Sequence, residues 1–179
     1  ELSYLLSKKI QKFYPSKLGI KSPKETGKTF KKNSIIKAEY FSKKTNMVSI
    51  SDDSGLCVEC LDGRPGIYSA RWASKNGSFN KAMKKIIKLV ENKNKNKKNK
   101  NKKAKFICSL SVKYPKGKCI TVVGQINGNI SNEIKGKKGF GYDSIFIPKN
   151  FKLTFGQMPQ KKKMMIDHRY VAFKKIKKK

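Results

Sequence analysis

SDDSGLCVEC, residues 51–60, sets two neighbouring carboxylates at the mouth of an apolar run. The chain has 179 residues and carries 44 Lys and Arg against 11 Asp and Glu, so two acids side by side demand a reason. MVSIS, just before them, reads as a strand ending at Asp52 and Asp53; Ser54 and Gly55 suit a turn, and LCVECL reads as a second, short extended piece. Carboxylates projecting from a strand end suit a hard cation, and Gly55 lets the backbone come close to a ligand. Mg2+ takes one or two protein carboxylates and keeps water and phosphate oxygens for the rest, so one acidic pair is enough. A plain turn would use the same four letters, and the stretch is read only with the rest of the chain.

Working outward, TGKTFKKNSIIKAEYFSKK predicts a helix with Thr26 as N-cap and Phe30, Ile36 and Tyr40 toward one face. ELSYLLSKKIQKFY reads as an earlier helix. Downstream, Met83, Ile86, Ile87 and Val90 recur at helical spacing within 80–91 and predict one buried stripe. Ala104, Phe106, Cys108, Leu110 and Val112 alternate as a strand, and KCITVVGQING is its hairpin partner across Pro115 to Gly117. Pro159 is placed to open a final helix carrying Met164, His168 and Val171 on one side. Strands and helices interleave around a hairpin, which predicts an α/β fold with a mixed sheet.

The formal charge of +33 suggests a polyanionic partner, but its distribution weakens that inference. Much of it lies in NKNKNKKNKNKKAK, residues 92–105, and in KKIKKK, residues 174–179. The segment 92–103 is Lys/Asn low complexity that can bury nothing and is expected to be a disordered insertion. AT-rich codon drift makes such tracts without selection for nucleic acid, and no aromatic stripe accompanies the charge, so no specific nucleic-acid partner is expected. There is no apolar run of the ~18 residues a membrane span needs and no secretory signal, so a soluble, cytoplasmic protein is expected. Four cysteines make no disulfide framework, and strand geometry puts Cys57 and Cys60 on opposite faces, against zinc.

ETGKTFKKNSIIKA, SDDSGLCVECLDGRPGIYSARWA, GFGYDSIFIP and KMMIDHR, in this order, resemble the inosine/xanthosine triphosphate pyrophosphatases, which hydrolyse non-standard purine nucleoside triphosphates. The resemblance runs from the start of the chain to the last helix, broken mainly by the Lys/Asn segment. It implies a single domain over 1–179, with an elongated central mixed sheet flanked by helices and two lobes holding a nucleotide in a cleft. It also implies a homodimer, Mg2+ dependence, and conversion of ITP, dITP or XTP to the monophosphate and pyrophosphate, which cleanses the nucleotide pool. By the same resemblance Asp53 is the catalytic acid-base residue and Mg2+ ligand, with Asp52 beside it, Ser54 touches the substrate, and Lys37 faces the phosphates.

Phe140, Gly141, Tyr142 and Asp143 match the family's base-binding loop, where a ring can stack on a purine. GKKGFGYD lacks the GxxxxGK[ST] pattern of a P-loop and by itself would be a Gly-rich hairpin. Lys163, His168 and Arg169 match residues that meet the base. Their donors suit the 6-oxo acceptor of hypoxanthine and xanthine, and would face the amino group of adenine unpaired at about 1–3 kcal/mol each. Guanine shares the 6-oxo group, so its rejection arises elsewhere.

The chain departs from the pattern in three places. The family's opening strand and Thr-Gly-Asn…Lys phosphate loop have no counterpart, so an N-terminally truncated protein is expected, with a weakened triphosphate cradle. Lys24 stands where a first acid often precedes Glu25, and Asp167 stands where Ser commonly precedes His-Arg. Two other readings are kept: the related septum-formation-inhibitor type of nucleotide pyrophosphatase, which would lack the GFGYD and DHR pair, and an inactive fragment with basic nucleic-acid-binding character.

Overall fold

The computed structural model describes residues 2–179. The fold is mixed α/β, a four-stranded antiparallel sheet with helices, and its strand order is β1, β2, β3, β4. These strands are Ser49–Val58, Lys103–Lys113, Cys119–Ile130 and Phe146–Pro148. Gly117 donates to the Tyr114 carbonyl at 3.2 Å and closes the β2–β3 hairpin. β4 then pairs antiparallel with β3, Ile130 opposite Phe146.

β1 corrects the reading of the opening stretch. No turn interrupts DDSG; one strand runs straight from Ser49 to Val58, and a single 3-10 turn, Glu59–Leu61, follows it. Asp, Ser and Gly favour turns in isolation, but a strand held in a sheet overrides that local preference. The consequence is chemical, because successive side chains of a strand point to opposite faces and Asp52 and Asp53 are therefore directed apart.

The helices are α1 Leu2–Leu5, α2 Phe30–Thr45, α3 Ser69–Lys75, α4 Phe79–Asn94, α5 Gln160–Met164 and α6 His168–Ile176. The expected first helix is cut to one turn, since Ser7 accepts from the Lys9 amide and the Lys12 ammonium takes the Ser3 and Leu6 carbonyls. α2 is capped by Thr29, whose hydroxyl accepts from the Lys32 amide at 3.1 Å, and not by Thr26. α4 forms as expected behind an N-cap at Ser78, burying Ala82, Met83, Ile86 and Val90. The single helix expected after Pro159 is two, separated by 165–167.

The chain divides into two compact units. One comprises Glu1–Asp53, Cys108–Gly124 and His168–Lys179; the other comprises Ser54–Ile107 and Gln125–Asp167. In the first unit Cys108, Leu110, Val122, Ala172 and Phe173 form a small core against which Leu2, Leu5 and Ile50 pack. α2 presents a polar inner face there, burying Asn33, Ser34, Ala38 and Ser42, where an apolar stripe from Phe30 to Tyr40 was expected. Ser34 Oγ lies 2.8 Å from both Ser109 Oγ and Ser111 Oγ, so this face is joined to β2 by hydroxyls. A Cβ on Gly124 would stand 2.3 Å from the Ala172 nitrogen and the His168 carbonyl, so the bare glycine lets α6 lie directly on β3.

The second unit holds the larger core. Phe106, Phe146 and Phe155 pack ring against ring, with centroids 4.7 and 5.3 Å apart for successive pairs, and Leu56, Ile86, Val90, Ile145 and Met158 complete it. Each such side chain contributes about 1.5–3 kcal/mol when fully buried. In the Lys/Asn segment 92–103, the first three residues are the last turn of α4. Asn94 is buried, donates to the Val90 and Asn101 carbonyls at 2.6 and 3.0 Å, and accepts from the Asn101 amide. No helix among the described residues is long and apolar enough to cross a membrane.

Candidate active site

In the first unit a polar network converges on Asp53, whose residue is 7% exposed. Asn33, fully buried on α2, donates from Nδ2 to Asp53 Oδ2 at 3.1 Å and accepts the Gly27 amide on Oδ1 at 2.8 Å. One side chain thereby joins the Thr26-Gly27 segment to the carboxylate. Lys37, one turn later on the same helix, places its ammonium 2.7 Å from Glu25 Oε1 and 3.4 Å from Asp53 Oδ1. Burial pushes the Asp53 carboxyl above the usual carboxylate range; the attraction of Lys37 and the Asn33 hydrogen bond pull it down without cancelling that effect. Burial also pulls on the Lys37 ammonium, but its hydrogen bond to Glu25 and the charges of Asp53, Glu25 and Asp52 more than offset this and leave it raised.

Asp52, on the other face of β1, has a different set of neighbours. Its Oδ2 accepts from Arg169 Nε at 3.1 Å, and the Cys108 thiol lies 4.0 Å from the same oxygen. Arg169 sits in the first turn of α6, its Nη1 3.3 Å from Nε2 of the buried His168. The expected site residues Asp53, His168 and Arg169 all belong to this unit.

Ser54, Phe140, Gly141, Tyr142, Asp143 and Lys163 belong to the second unit. Ser54 is the next residue of β1 and is half-buried. Asp143 accepts on one oxygen from the Phe140 amide at 2.9 Å and from the Lys163 ammonium at 2.7 Å, and both side chains of this ion pair are almost fully buried. The same ammonium lies 4.9 Å from the centroid of the Phe140 ring and 5.6 Å from that of Phe155. Tyr142 is turned into the core: its hydroxyl donates to the Ser69 carbonyl at 2.8 Å, its ring meets Phe79 edge-on, and burial pushes its phenol up to about 12. Phe140 is the aromatic residue this loop leaves outside, 54% exposed. Gly139 and Gly141 both adopt left-handed backbone, and a Cβ on Gly139 would meet Asp143 Oδ2 at 2.2 Å.

One residue of consequence escaped the sequence reading. Asn33 lay inside a segment read for its apolar positions, yet Asn is a poor choice for a helix interior and that mismatch was the available signal. Asp52 was read as standing beside Asp53; the continuous strand directs the two side chains to opposite faces, while the charges of both act on Lys37. A cavity of about 680 Å³ in the second unit, lined by Cys57, Glu59, Lys103, Lys105, Asn127 and Lys149 among others, shares no residue with either cluster.

Glu25 and Asp53 offer hard oxygen donors and already hold one positive charge, the Lys37 ammonium, between them. Among the described residues no group of three or more His, Cys, Asp or Glu could hold a metal ion. The donors fit a cation such as Mg2+ that draws most of its ligands from water and phosphate.

The sequence profile of the Ham1 family matches residues 1–179. The chain belongs to the Ham1 family. It is 38% identical over 177 residues to a dITP/XTP pyrophosphatase of Caulobacter vibrioides, covering 99% of this chain and 89% of the relative. A dITP/XTP pyrophosphatase of Zymomonas mobilis is 40% identical over 161 residues, 90% of this chain and 76% of that one. Among solved structures, a Ham1 protein from Coxiella burnetii matches with a TM-score of 0.81 at 30% identity, covering 91% of this chain and 82% of its own. The Ham1 protein of Staphylococcus aureus matches with 0.79 at 35% identity, covering 92% and 82%.

Proposed function

We propose that this Ham1-family chain hydrolyses non-standard purine nucleoside triphosphates, ITP, dITP and XTP, to the nucleoside monophosphate and pyrophosphate. The observation that carries the reading is the setting of Asp53, a buried carboxylate braced by Asn33 and Lys37, in a chain whose relatives are named for this reaction. Water adds at the α-phosphorus, the bond to the bridging oxygen breaks, and pyrophosphate leaves. Asp53 Oδ takes the proton that the attacking water gives up, and its raised affinity for protons suits a general base. Asn33 holds the carboxylate plane, and the Lys37 ammonium offers positive charge to the phosphates. Bound by Asp53, with Glu25 on the other side of the same charge, Mg2+ would offset the charge of the triphosphate.

For the base, Phe140 offers an exposed ring face, with Gly141 giving close approach and Tyr142, Asp143 and Lys163 fixing the loop from behind. His168 and Arg169 supply donors for the 6-oxo group, and Ser54, next to the general base, contacts the substrate. A homodimer and a cytoplasmic setting belong to the same reading, supported by the family resemblance.

The test is product analysis. With Mg2+ and ITP, XTP, GTP or ATP, chromatography should find monophosphate and pyrophosphate in equal amounts, fastest from ITP and XTP. Orthophosphate and a diphosphate, or equal rates on all four, would overturn the reading.

A further inference from the structure

We infer that Asp52 is a positioning residue for base selectivity, acting through Arg169. The inference rests on the proposed role of Arg169 in reading the 6-oxo group. Three observations carry it. First, β1 runs uninterrupted through Ser49–Val58, so Asp52 and Asp53 are directed to opposite faces and do different work. Second, Asp53 is hydrogen-bonded by Asn33 and Lys37 on α2, whereas Asp52 Oδ2 engages Arg169 Nε and the Cys108 thiol. Third, the backbone under Arg169 is itself fixed. α6 lies against β3 through Gly124, and the Lys175 ammonium binds the Val123 carbonyl at 2.7 Å.

A guanidinium is a planar fork on a long, flexible side chain that loses rotamer freedom when it is ordered. Tying Nε to a carboxylate sets the plane, so the Nη groups take fixed directions before any ligand arrives. Recognition then costs less ordering of the side chain. A purine with an acceptor at position 6 gains from donors so placed; adenine, with a donor there, gains nothing. Removing Asp52 should therefore weaken binding of 6-oxopurines and leave 6-aminopurines nearly unchanged. A carboxylate that merely anchored α6 would affect both alike, through the fold.

The experiment measures binding of IMP and AMP by calorimetry, together with kcat/KM for ITP and ATP, on the full chain. The expected result is that Asp52→Ala lowers the IMP-over-AMP preference about 10-fold, and Asp52→Asn, which keeps an acceptor oxygen without the charge, about 3-fold. Arg169→Ala should lose at least as much as Asp52→Ala, and the double variant no more than Arg169→Ala alone, since both act through one contact. Additive losses, or an unchanged preference in a folded Asp52→Asn protein, would overturn the inference and leave the proposed function standing. A wild-type protein with equal kcat/KM for ITP and ATP would overturn the proposed function, and the inference with it.

Discussion

Asp53 and Asp143 are both buried carboxylates facing a lysine ammonium, yet they sit in opposite kinds of surroundings. Asp143 and Lys163 meet at 2.7 Å with side chains almost closed to water, the Phe140 amide on the same carboxylate oxygen and the Phe140 and Phe155 rings against the ammonium. Asp53 and Lys37 stand 3.4 Å apart, the lysine is shared with Glu25, and one carboxylate oxygen is held by an amide group. The first pair is closed, and neither partner can leave without stranding a charge. The second is open, a set of polar groups in which the ammonium is divided between two carboxylates and the amide of Asn33 holds one oxygen. The carboxylate proposed as general base thus differs from Asp143 in how many groups share it and how tightly, and burial alone does not separate the two.

The comparison can be broken most sharply at Asp53. Replacing it by Asn should lower kcat for pyrophosphate release about 10²–10⁴-fold, the usual reach of a general base, while far-UV circular dichroism stays unchanged. Retained turnover would return Asp53 to the class of structural carboxylates. At the closed pair the effect should fall on stability. Lys163→Met strands Asp143 and should cost about 3–5 kcal/mol in urea unfolding, whereas Lys163→Met with Asp143→Leu should recover much of that loss. A Lys163→Met protein as stable as wild type would show that the pair is not closed.

A finer test uses pH. Asp53 binds its proton more tightly in the native than in the unfolded chain, so the wild type gains stability as pH falls through the raised native value, and the gain is complete below the unfolded value of 3.8. The Asn variant lacks that gain. It should be as stable as wild type or more so near about pH 7, and lose ground to it on acidification, read as the difference between two urea midpoints at each pH. The sign is the same at the alkaline end for Lys37, whose stabilisation is fully present below 10.5 and lost as pH rises through its raised native value.

The smallest effects lie in the Lys/Asn segment. Asn94→Ala should cost about 1–2 kcal/mol by leaving buried polar groups unpaired. Changing Lys95, Lys97, Lys98 and Lys100 to Ser together should move stability by no more than about 0.5 kcal/mol for each exposed position. No loss from Asn94→Ala, beside a larger loss from the four lysine changes, would mean that the exposed lysines, and not Asn94, hold this turn.

Where a pattern was driven by apolar burial, it could be read from the chain. The stripe of α4 behind Ser78 and the alternation of β2 and β3 depend on the identity of neighbouring residues and little else. The inner face of α2 was invisible because it is polar, and its buried Asn33, Ser34 and Ser42 mimic a surface by composition. The strand through Asp52 and Asp53 was read as a turn for a related reason, since turn-forming residues were placed there for their side-chain chemistry and the sheet supplied the conformation. The proposed roles of Asp53, Phe140 and Arg169 rest on motif order. Asn33 and the bond from Asp52 to Arg169 needed coordinates, because they join positions 20 and 117 residues apart.

The reciprocal hydrogen bonds between Asn94 and Asn101 give the Lys/Asn tract a fixed neck. Whatever lies between the two asparagines is a closed loop whose entropy rises only slowly with length, about 0.6 kcal/mol for each doubling. Replication slippage in a repetitive A-rich stretch could therefore lengthen or shorten this loop over generations while α4 ends, and β2 begins, in the same place. The neck makes a change in the length of this loop nearly neutral for the elements on either side of it.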